Sequence, residues 1–100
     1  MSENHTFAYV LKLANQEMVE NMSLEQESIV NEHFDYLQRK LDEGKLVLAG
    51  RCLNGEFGIV IFHAQSEQAA DEFMKNDPAV KKGIMTSELH SFRVALLGKE

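Results

Sequence analysis

The sequence has one cysteine, Cys52, so no intramolecular disulfide can brace it. Its opening stretch, MSENHTFAYV, lacks the basic start and the long apolar run of a signal peptide. Both features predict a cytoplasmic protein. Basic residues are scarce too: ten Lys and Arg stand against sixteen Asp and Glu, for a net charge of -6. Such a chain repels phosphate backbones and anionic lipids, so no nucleic-acid or membrane partner is expected. The one basic cluster, Lys81 and Lys82, has Asp71, Glu72 and Asp77 nearby and reads as a solvated helix end. No apolar run approaches the roughly 20 residues of a bilayer span. There is no CxxC, and His5, His63 and His90 are scattered rather than paired four apart on a helix. No metal site is predicted, and no motif implies an organic cofactor.

What is present describes an ordinary globular chain. Its 100 residues, 44% hydrophobic and 26% charged, predict one domain over residues 1–100 with one core. Thr6 to Ala14 reads as a strand, with Phe7, Tyr9, Leu11 and Leu13 alternating with Thr6, Ala8, Val10 and Lys12. The polar connection Asn15 to Met22 follows, placed to border a site as a lid. Ser23 with Gln26 matches a capping box for a helix running to about Glu43. Val30, Phe34, Leu37 and Leu41 form its apolar stripe, His33 lies within it, and Gly44 stops it.

Lys45 to Arg51 and Glu56 to His63 read as antiparallel strands joined through Asn54 and Gly55, the order typical of a type I′ hairpin. Ser66 caps a second helix whose stripe is Ala69, Ala70, Phe73 and Met74, ended by Asp77 and Pro78. A helical turn to Gly83 and a strand from Glu88 to Leu97 complete the order βαββαβ. That order predicts a ferredoxin-like α+β fold, a four-stranded antiparallel sheet with two helices on one face. Ile59, Val60, Ile61 and Phe62 are apolar at both parities, which suits a strand buried on both sides. A small domain also gains from covering its second sheet face, so a homodimer is expected.

Three segments, NEHFDYLQRKLDEGKLVLAG, GEFGIVIF and SEQAADEFMKNDPAVKKG, resemble the YCII-related domain. The resemblance runs over most of the chain. It rests on a helical His, followed by a Leu, a Gly and an Ala-Gly strand end, with an Asp-Pro after the second helix. This family is similar to the dimeric α/β barrels that include muconolactone isomerases and cofactor-free monooxygenases. The resemblance implies a catalytic His and Asp pair, here His33 and Asp77. Two positions depart from the pattern: Ala79 stands where an aromatic is frequent, and Arg51 where Pro is common. Both alter the expected pocket wall.

Each candidate also has a structural reading. His33 serves either as an acid/base or as a core histidine hydrogen-bonded to backbone. Asp77 before Pro78 is equally the N-cap of a short helix. Cys52 reads as a buried structural thiol. Met18, Met22, Met74 and Met85 are gap fillers or a pocket rim. Arg51 either pairs with a substrate carboxylate or bridges to Glu56. The resulting expectation is a small enzyme of isomerase or lyase type acting on a small-molecule ligand. His33 and Asp77 would be catalytic, with Tyr9 and Arg51 as ligand contacts. Its competitor is a non-catalytic dimeric module that binds a metabolite or another protein.

Overall fold

A computed structural model of the protein describes residues 5–98, so the start of the polar N-terminal stretch lies outside the described residues. Strands β1 (His5–Leu13), β2 (Leu46–Arg51), β3 (Gly58–Ala64) and β4 (Met85–Ser91) alternate with α1 (Leu24–Asp42), α2 (Glu67–Lys75) and the single turn α3 (Pro78–Lys81). The sheet is antiparallel in the order β2-β3-β1-β4. Each of the two crossovers, β1 to β2 through α1 and β3 to β4 through α2, steps over one strand. This is the expected ferredoxin-like α+β arrangement. No helix among the described residues is long and apolar enough to cross a membrane.

Local chemistry sets the helix ends. Ser23 Oγ accepts from the Gln26 amide at 3.1 Å while Gln26 Oε1 accepts from the Ser23 amide at 2.9 Å, which closes the capping box. Gly44, at φ 80°, ends α1 in the left-handed conformation that a Cβ disfavours. Ser66 Oγ accepts from the Ala69 amide at 3.0 Å and starts α2.

Three details depart from the sequence reading. The β2–β3 connection is not a two-residue type I′ turn, which would need positive φ at both central residues; only Gly55 has it. Instead the Gly55 amide donates to Cys52 O at 3.0 Å, and the Asn54 side chain accepts from the Glu56 amide at 3.0 Å. The four-residue turn leaves Asn54 in ordinary backbone space. Secondly, β4 begins at Met85 and ends at Ser91, since its ladder follows the partners offered by β1, from Leu13 back to Phe7. The Phe92 amide still donates to Thr6 O of β1 at 3.0 Å, and residues 93–97 continue outside the ladder. Thirdly, α1 buries Ile29, His33, Tyr36 and Leu37, whereas Phe34 is 55% exposed and Leu41 is also exposed. The stripe is turned because α1 packs against both β2 and α3.

Rows of opposed residues across β1, β3 and β2 share the helix-facing side of the sheet. Phe7, Phe62 and Leu46 form one row, with Phe73 of α2 stacked on Phe62 at 4.1 Å between ring centres. Burying each such aromatic contributes about 1.5 to 3 kcal/mol. The next row is Tyr9, Val60 and Ala49, and the last is Leu11, Gly58 and Arg51. Side-chain volume thus falls along β3, from Phe62 through Val60 to Gly58, with the small Ala49 beside Val60 on β2. The dense core gives way there to a hollow beneath α1.

Candidate active site

The hollow is a cavity of about 790 Å³ between α1, the sheet and the two connections that follow β1 and β2. Its walls are mostly aliphatic, with His33, Gln38 and Arg51 as the polar and charged side chains. Exposed Phe34, Leu41, Leu48, Leu53 and Phe57 border its mouth, which reaches round the β2 edge. The volume and composition suit a compact organic molecule.

His33 and Asp77, 44 residues apart in sequence, meet under this cavity. His33 Nδ1 lies 2.7 Å from Asp77 Oδ1 and 2.9 Å from Oδ2. Asp77 has no exposed surface, and every neighbour of its carboxylate is a donor. The Ala79 amide donates to Oδ1 at 3.0 Å and the Tyr9 hydroxyl donates to Oδ2 at 2.7 Å. An ionised carboxylate only accepts, so three donors offset the cost of burying it. The cap and the histidine partner, read above as alternatives, are one and the same Asp77.

With Asp77 as acceptor, Nδ1 carries the shared hydrogen, and the neutral ring keeps its lone pair on Nε2. Nε2 has no hydrogen-bond partner among the described residues. Among the described residues, no buried side-chain nitrogen or oxygen lacks one, so Nε2 is not sealed off. His33 is 6% exposed and forms part of the cavity wall.

Tyr9 and Arg51 fall on opposite sides of that wall. Tyr9 has no exposed surface; its ring meets Phe62 edge-on and its hydroxyl is committed to Asp77, behind the cavity. Burial, reinforced by the adjacent Asp77 charge, pushes the Tyr9 pKa far up, so it remains a donor. Arg51 lines the cavity, its Nη1 3.4 Å from Cys52 O. The bridge to Glu56 does not form, since Arg51 has no ion pair among the described residues. Cys52 is half-buried in the hairpin connection rather than in the core.

Sequence reasoning missed Gly58 and Ala49, whose small side chains make the hollow, and Val19, Gln38 and Phe57 on its walls. The strand parities held the first two, but only after registering β2 against β3. Met18, Met22 and Met85 line the cavity, while Met74 is packed in the core. Among the described residues, no three His, Cys, Asp or Glu side chains gather to hold a metal ion.

Residues 8–90 match the family model of the YCII-related domain. The chain belongs to the YCII-related domain family. Among solved structures, this YCII-related domain is similar to 5-chloro-2-hydroxyhydroquinone dehydrochlorinase from Burkholderia phenoliruptrix AC1100, in complex with 2,5-dihydroxybenzoquinone. The two are 14% identical with a TM-score of 0.65, over 87% of this chain and 93% of that one. At this identity the likeness speaks for the fold alone. A search of curated proteins finds no match.

Proposed function

We propose that this YCII-related domain is a small enzyme of isomerase or lyase type, with His33 as general acid/base and Asp77 as the partner that orients it. The observation that supports the reading is the contact of His33 Nδ1 with a carboxylate that has no exposed surface, at the wall of an apolar cavity that His33 lines. Nε2 would take a proton from a carbon of the bound molecule. In an elimination the C–H electron pair becomes the new double bond, and the leaving group departs with its bonding pair. In an isomerisation the imidazolium returns the proton to a different carbon. Asp77 stabilises the imidazolium between these steps. Tyr9 and the Ala79 amide position Asp77 without touching substrate. The similar dehydrochlorinase, by its name an enzyme of elimination, shows that the ferredoxin-like fold accommodates such chemistry.

The reading includes a homodimer through the sheet face away from the helices. On that face Ala8 and Ile61 are already buried, Val10 and Ile59 are half-buried, and Leu48 at the β2 edge beside the cavity mouth is exposed. A second copy would bury this apolar surface.

The test is a panel of lactones and halogenated cyclic enols in D₂O, followed by NMR for product and deuterium incorporation. Turnover by the wild type should fall about 10²- to 10⁴-fold in His33→Gln, mainly in kcat. A ligand that binds both proteins equally and is never converted would instead favour the non-catalytic module.

A further inference from the structure

Among the described residues, the cavity wall contains no Asp or Glu, although the chain has sixteen. Its one cationic side chain, Arg51, has no acidic partner among the described residues, as is also true of Lys12, Arg39, Lys81 and Arg93, none of which lines the cavity. Arg51 is exposed, with Nη1 3.4 Å from Cys52 O, so its guanidinium stands at the rim of an apolar wall that carries no other charge among the described residues.

The sheet also keeps space beside it. Arg51 stands opposite Gly58, and Gly58 opposite Leu11, all on the helix-facing side. Gly58 is not in the left-handed region, so its backbone conformation does not demand glycine. A Cβ there would lie 3.1 Å from Gly50 O and 3.6 Å from Arg51 Cβ, crowding the strand and filling the slot along the arginine stem. A flat group lying on Gly58 would have Leu11 and Val60 on its apolar side and the guanidinium at one end.

We propose that Arg51 is the anion anchor of this cavity. The ligand class is then a compact, mainly apolar molecule bearing one anionic oxygen group, a carboxylate or an enolate, which the planar guanidinium pairs in fork geometry. The assignment rests on the reading of this cavity as the substrate site and specifies what it selects. Anchoring the anionic end also leaves the neutral carbon framework for the imidazole, where a developing enolate would gain from a nearby positive charge.

The test uses 4-fluorobenzoate and its neutral isostere 4-fluorobenzamide, titrated by ¹⁹F NMR against the wild-type chain, Arg51→Met, Arg51→Lys and His33→Gln. The wild type should bind the benzoate at least about tenfold more tightly than the amide. Arg51→Met should reduce that preference to within about twofold while leaving the amide affinity unchanged, and Arg51→Lys should retain part of it. A wild type with no preference, whether both probes bind equally or neither binds, overturns the anchor. So does a preference that survives in Arg51→Met. Neither probe carries a reacting group, so His33→Gln should keep the preference even where the acid/base reading fails. The two failures are thereby told apart.

Discussion

Three side chains from three separate elements make the polar centre of this protein, and each constrains the next. Tyr9 of β1 holds Asp77, Asp77 caps α3, and Asp77 fixes the ring of His33 on α1. Removing the Tyr9 hydroxyl would deprive a fully buried carboxylate of one donor while leaving the aromatic packing intact. Tyr9→Phe should cost about 1 to 3 kcal/mol. At about 4 to 8 °C per kcal/mol for a domain of this size, a thermal melt will resolve it. An unchanged midpoint would mean that Asp77 does not depend on this hydroxyl. Of the trio, His33 and Asp77 were legible in the sequence through a family resemblance, and Asp77 also through its cap pattern. The place of Tyr9 was not legible, because strand alternation says which face a side chain takes but not what it meets there.

Among the elements, the two connections that wall the cavity are tied together at one point. Gly55 in the β2–β3 connection has φ 80°, and a Cβ there would sit 3.1 Å from Val19 Cγ1 in the 3₁₀ turn Gln16–Val19. Gly55→Ala therefore combines a left-handed backbone cost of about 1 to 2 kcal/mol with a clash against a branched side chain. Adding Val19→Ala should relieve only the clash, so the double variant should melt between Gly55→Ala and the Val19→Ala control. Full recovery to the control would show that backbone conformation is not the cause. The helices, the one capping box and the other N-caps followed from local sequence, since caps and glycine stops act within one turn. The turn type and the limits of β4 did not, because both depend on which strand lies alongside.

At the scale of the whole molecule, burial sets the response to alkali. Burial, with the Asp77 charge, raises Tyr36 to about 12, and its hydroxyl donates to Phe73 O at 2.7 Å; Tyr9 is raised further by burial and by Asp77. Above pH ~10 the unfolded chain releases both tyrosine protons while the native state holds them, so the native state binds more protons and stability falls. The contribution is fully present below pH ~10. It is lost at about 1.4 kcal/mol per pH unit for each tyrosine, through about 12 for Tyr36. Urea midpoints at rising pH should show this slope, and Tyr36→Phe should reduce it. An equal slope in the variant would assign the alkaline loss elsewhere. The proposed homodimer is read at the same scale: the wild type should elute with twice the protomer mass in light scattering, and Val10→Lys on the sheet face away from the helices should shift it to the monomer. A monomeric wild type at all concentrations would remove the second subunit from the reading.

The amino-acid sequence alone determined the order of elements, the helix caps and the family, because periodicity and capping are local and survive any rearrangement of distant parts. It also named His33 and Asp77 as candidates. Only the tertiary structure decided that they touch, that Asp77 is capped by donors from three directions, and that Tyr9 stands behind the wall while Arg51 stands in it. The cavity itself was decided there too. It exists because register sets Gly58 and Ala49 beneath α1, and the register of β2 against β3 is a long-range choice that no stretch of sequence makes by itself.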